Sequence, residues 1–141
     1  VDCVVLSDDG GLREALSCAV RAALASTNLP AAEEALEASD ETTEALPFSL
    51  LPAETPPTTL SVDDCPVVVT LAVVSGNLLV DTTADEPADA MVAVAAAGGA
   101  VVGVDVLWGA VPPALLREAV AAAPALAAPL LGASSLAPAP R

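Results

Sequence analysis

Asp81, Asp85, Glu86 and Asp89 are the acids whose spacing could do chemistry. Carboxylates this close can hold Mg²⁺ or divide the roles of acid and base. Chemistry on a phosphate group at such a cluster would also need Arg or Lys beside it, because phosphate is itself an anion. No Lys or Arg stands between Arg21 and Arg117. The cluster is therefore expected to be a solvated, turn-capping loop. The hydroxyls of Ser17, Ser26 and Ser75 have no base to activate them, since the chain contains no His, and this excludes a Ser-His-Asp triad. A Cys-His nucleophile pair fails for the same reason. Cys3, Cys18 and Cys65 show no C-x-x-C spacing, so a zinc site would need all three plus a carboxylate, an uncommon donor set. They read as reduced, buried small hydrophobes. Gly10-Gly11 and Gly98-Gly99 fit neither G-x-G-x-x-G nor the Walker pattern and read as turns. Trp108 reads as a core or interface anchor rather than a base-stacking platform. The expected site list is accordingly empty: no catalytic, cofactor-binding or metal-binding residue.

The elements that would position these groups follow from pattern. Val1 to Leu6 is apolar and β-branched, which predicts a strand. Ser7-Asp8-Asp9-Gly10-Gly11 then supplies turn and cap chemistry. Leu12, Leu16, Ala19, Val20, Ala23 and Leu24 recur on one face of a helical period and predict a helix over about 12–26. Pro30 closes that unit. The acidic run from Ala31 to Ala45, then Pro47, Pro52, Pro56 and Pro57, predicts a linker with a domain boundary inside it. Beyond it, Val67 to Val74 predicts a strand. Ser75-Gly76-Asn77 predicts a hairpin turn, and Leu78 to Asp81 the returning strand. Thr82 to Asp89 is an acidic loop. Met91 to Ala96 and Ala100 to Leu107 predict two more strands around Gly98-Gly99, with Gly103 marking a bulge or a close contact. Pro112-Pro113 opens a final helix, which Pro124 is expected to end. The fold class is α+β: strand–helix, linker, four-strand meander, flanking helix. The expected domains are 1–30, a linker at 31–62, 63–124, and a disordered tail at 125–141.

Composition limits the possible partners. The net charge is −15, from 19 acids against four Arg at positions 13, 21, 117 and 141. A nucleic-acid surface needs clustered cations to displace counterions from phosphate, and this chain offers none. Apolar residues reach 55%, but much of this is Ala, which buries little area per residue. The absence of Lys, Ile, Tyr, Gln and His beside abundant Ala, Val and Pro reads as a coding-composition bias. No apolar run of about 18 residues is free of charge, Pro and Gly, so no transmembrane helix is expected. The chain opens on Val1 with nothing like a signal peptide, and an intracellular protein with further residues upstream is expected.

The ordered series of residues resembles a known family. Val1-Asp2-Cys3-Val4-Val5-Leu6, Asp9-Gly10-Gly11, Ala22-Ala23-Leu24 and Leu29-Pro30 resemble the end of the first domain of RNase PH-like proteins, and the eukaryotic exosome ring subunits best. Pro66-Val67 leading to Thr70, then Leu78-Leu79-Val80-Asp81-Thr82-Thr83, resembles the start of their second domain. Non-catalytic subunits carry Asp-Pro-Thr-x-x-Glu-Glu there. This chain keeps Asp81, Thr83 and Glu86 and has Thr82 and Pro87 in place of the Pro and the second Glu. The resemblance covers about residues 1–123. It implies a partial subunit lacking the first part of its first domain. It further implies a catalytically silent member of a ring that is topped by S1/KH caps and threads RNA to a 3′-to-5′ ribonuclease. It implies other RNase PH-like ring subunits and S1/KH cap subunits as partners, RNA only through the assembled complex, and no membrane. It implies no cofactor, a role in rRNA, mRNA and snRNA processing, and a location in nucleus, nucleolus and cytoplasm. Two alternatives stand beside it. One is a phosphorolytic exoribonuclease of RNase PH type with its catalytic residues upstream of Val1. The other is an unrelated acidic adaptor.

Overall fold

The computed structural model describes residues 1–34, 48–52, 54–83 and 85–134. Its centre is a four-stranded antiparallel sheet: β5 (Val67–Val74), β6 (Asn77–Val80), β7 (Ala90–Ala97) and β8 (Ala100–Gly109), in the order β6-β5-β7-β8. Two helices pack on it, α1 (Leu12–Ala25) and α2 (Pro113–Ser134). The result is an antiparallel α+β layer arrangement, as the strand and helix patterns predict.

Local chemistry fixes the meander. Ser75 and Gly76, the two central residues of the β5–β6 turn, have φ of 49° and 77°. Gly98 and Gly99 in the β7–β8 turn have φ of 56° and 80°. Paired positive φ is the twist-matched geometry of two-residue hairpins, and Gly adopts it without a Cβ clash. Val67, Val69, Leu71, Val92, Val94 and Ala96 alternate onto one face and form the core with Ala119, Ala123 and Ala127 of α2. The register slips between Ala95 and Ala96, beside Gly103, where a bulge or close contact is expected. A Cβ at Gly103 would lie 3.6 Å from the Ala95 side chain, which is ordinary contact, so the irregularity and not crowding explains the glycine.

Four sequence expectations change. Residues 1–6 form no strand. Their apolar run has the right composition, but among the described residues no strand pairs with it, and β pairing needs a partner. The expected linker carries structure: β2 (Ala32–Glu34) pairs with β3 (Phe48–Leu50), and β4 (Thr58–Thr59) pairs with β1 (Asn28–Leu29), which lies just before the linker. Glu37, Glu41 and Glu44 of the acidic run lie outside the described residues. Pro124 does not end the last helix, which runs through Pro124 and Pro129 to Ser134. Ala119, Ala123 and Ala127, one turn apart, are fully buried on the sheet, and this packing carries the helix across the proline. The expected disordered tail is thus helical to Ser134, and its remainder lies outside the described residues. Finally, Pro113–Ala133 is a helix long and apolar enough to cross a membrane by length and composition, with a mean hydropathy of 1.5. Its Ala stripe is packed against β5 and β7.

Candidate functional site

The acids of the β6–β7 loop divide into two sets. Glu86 and Asp89 serve the local backbone: Glu86 Oε2 accepts from the Thr83 N–H at 2.8 Å, and Asp89 Oδ2 accepts from the Ser75 N–H at 2.9 Å. The Asp89 N–H in turn donates to the Val73 carbonyl at 2.7 Å. This is the turn-capping role their spacing predicts. Asp85 is exposed and makes no such bond with another described residue. Asp81 differs from the others. It has φ of 57° and lines a cavity of about 220 Å³ with Thr82, Thr70, Met91, Leu107 and residues 8 and 10–14.

That cavity places Arg13 in the same lining as Asp81, Asp8 and Glu14. The expectation that no cation stands near Asp81 is therefore corrected. The arginine comes from the first turn of α1, far away in sequence, and only tertiary packing joins the two. Gly11 at the helix N-cap has φ of 60° and Gly10 has φ of 101°, so these glycines are structural turn residues, as expected. The site holds three carboxylates against one guanidinium. A second cavity, about 470 Å³, shares Gly10, Gly11, Glu14, Thr70 and Asp81 and continues to Val80 and the Leu126–Leu130 stretch of α2.

Sequence reading missed Glu14 and Arg21. The apolar periodicity of α1 turns Leu16, Val20 and Leu24 partly inward, yet Ala19 and Ala23 of the same stripe are exposed. The residues that bond to β5 and to the segment just before it are polar: Glu14, Ser17 and Arg21. A Glu14 carboxylate oxygen accepts from the Thr70 N–H, and Ser17 Oγ accepts from the Val68 N–H at 3.0 Å. Arg21 is 5% exposed and donates to the Val62 and Cys65 carbonyls. Their spacing of three and four along the helix could have signalled a polar face, but polar residues at helical spacing normally face water. Ser17 also donates to the Glu14 carbonyl, and Ser26 to the Ala23 carbonyl. All three Ser hydroxyl or backbone groups named above are thus engaged in local structure.

Cys3, Cys18 and Cys65 are free thiols, with Cys3 exposed, against the expectation that it is buried, and Cys18 and Cys65 half-buried. Among the described residues no His, Cys, Asp and Glu cluster could hold a metal ion. Trp108 is 46% exposed and pairs across the sheet with Met91, at the edge rather than in the core.

An α+β meander with a helix closing one sheet edge defines a class of small antiparallel domain, and it hosts many functions. No protein-family model matches the chain. The chain is similar to a Dictyostelium discoideum protein described as "Putative exosome complex exonuclease RRP42", 35% identical over 86 residues. The match takes in 61% of this chain, which spans about a quarter (25%) of that protein's length. This similarity supports the resemblance to exosome RNase PH-like subunits read from the residues.

Proposed function

We propose that this chain is part of a non-catalytic RNase PH-like subunit of an exosome ring. It would support 3′-to-5′ RNA processing by holding neighbouring subunits, with RNA reaching it only through the complex. The observation that carries the reading is the similarity to the exosome protein over 86 residues, in agreement with the residue series from Val1 to Ala123. The silent character rests on charge. Three carboxylates and one guanidinium line the Asp81 cavity, and an anionic nucleophile is repelled by that balance. The partners on this reading are RNase PH-like ring subunits and S1/KH caps, in nucleus, nucleolus and cytoplasm. Affinity capture of the tagged chain, read by mass spectrometry, tests it. Cap and ring subunits of an exosome should co-purify in near-equal amounts. Their absence would leave the acidic-adaptor alternative.

The second reading, a phosphorolytic exoribonuclease, is favoured by one observation: Arg13 and Asp81 line the same cavity at the N-terminus of α1. The two separate on incubation of the chain, alone and within the captured complex, with single-stranded RNA, Mg²⁺ and inorganic phosphate. A silent subunit releases no phosphate-dependent nucleoside diphosphate that an Arg13→Ala or Asp81→Asn change abolishes. Release lost in those variants would establish the enzyme.

A further inference from the structure

The β5 strand is longer than its neighbour on one side. β6 pairs only with Leu71 to Val74, while β7 pairs with β5 from Val67 to Val73. Antiparallel alternation sends the N–H of every second residue to the same side. On the β6 side, Val68 and Thr70 would therefore be left as an open strand edge, a template for another chain. Helix α1 fills this gap. Ser17 and Glu14, one helical turn apart, present two acceptors to the N–H groups of Val68 and Thr70, themselves two residues apart. Arg21, one turn further along, ties down the Val62 and Cys65 carbonyls just before the strand.

We propose that α1 is an edge guard: Glu14 and Ser17 stand in for the missing end of β6 and keep β5 closed to strand addition from a second copy of this chain. A matching strand is at hand in every copy, because β8 is a ten-residue edge strand with no Pro and no Lys. The polar choice at Glu14 and Ser17 follows from this role. Apolar residues there would bury area but leave two strand amides without acceptors.

Amide exchange of the full chain, with sedimentation velocity at matched concentration in 0.01 M salt, where charge repulsion keeps the unmodified chain monomeric, tests the guard. In the Glu14→Ala/Ser17→Ala chain, protection at Val68 and Thr70 should fall roughly tenfold or more, while Leu71, Val92 and Val94 keep theirs. A concentration-dependent faster-sedimenting species should appear with it. The Glu14→Gln/Ser17→Thr chain keeps both acceptors and should restore protection and the monomer. Unchanged protection in the alanine variant overturns the proposal, and so does lost protection without self-association. If the alanine variant unfolds as a whole, the Gln/Thr variant decides: failure to recover the closed monomer shows that shape, and not the acceptor pair, holds α1.

Discussion

Arg21 shows how far a single residue can depart from its sequence signature. In the sequence it is only one of four Arg in a strongly acidic chain, yet it is buried and bridges two backbone carbonyls. Arg21→Met keeps most of the stem and removes both donors. Leaving a buried carbonyl unsatisfied costs about 1–3 kcal/mol, and these two are only half-buried, so a combined loss of about 2–4 kcal/mol is expected. Urea denaturation should show it as a lower midpoint at unchanged slope. A change below about 0.5 kcal/mol, the level of an ordinary surface substitution, would show that the guanidinium contributes nothing there. Gly109 is the complementary case. Its φ is 77°, and a Cβ would fall 2.4 Å from the Asp89 carbonyl oxygen and 2.6 Å from Ala90. Gly109→Ala must shift backbone rather than a flexible side chain. A destabilisation of about 2 kcal/mol or more is expected from the same denaturation experiment. The sequence signals Gly98-Gly99 because two adjacent glycines mark a turn. It does not signal Gly109, whose constraint comes from residues 89 and 90 across the sheet.

At the scale of elements, what was legible is what local chemistry decides. The meander's strands and its two hairpin turns follow from apolar runs bounded by turn residues and from glycine, and they fall within two residues of their expected limits. What was not legible depends on partners distant in the chain. Val1 to Leu6 has strand composition and no strand to join. The stripe Glu14, Ser17, Arg21 looks solvated until β5 is placed beside it. Arg13 comes to line the same cavity as Asp81 only through the packing of α1. Pro124 is a local stop signal overruled by the buried Ala119, Ala123 and Ala127. This last point can be measured. Proline inside a helix costs about 3 kcal/mol through a lost hydrogen bond and a ring clash. If the helix runs on as observed, Pro124→Ala should stabilise the chain by about 1–3 kcal/mol and keep its helical circular dichroism. If the helix stopped before Pro124, the same change would leave the melting curve where it was.

The whole molecule combines strong charge with exposed apolar surface, and the two act against each other. Leu6 is 94% exposed, Val102 59% and Trp108 46%, and among the described residues one edge of β8 is unpaired. Such groups favour association through burial of apolar area and through strand pairing. The net charge of −15 opposes self-association, because every copy repels every other. It also opposes RNA, and the isolated chain should show no sub-micromolar RNA binding in a filter assay at physiological salt. For self-association the balance is set by ionic strength. The Debye length is about 30 Å at 0.01 M salt and about 8 Å at 0.15 M. Repulsion between whole molecules is therefore strong at low salt and largely screened at physiological salt, while apolar attraction is not screened. The isolated chain should accordingly bind the dye ANS at both salt concentrations. Light scattering should show monomer at 0.01 M and concentration-dependent association at 0.15 M. A partner that covers the Val102–Trp108 surface should suppress both signals. A chain that stays monomeric at 0.15 M with no ANS fluorescence would be self-sufficient, and the exposed β8 surface would then need no neighbour to explain it.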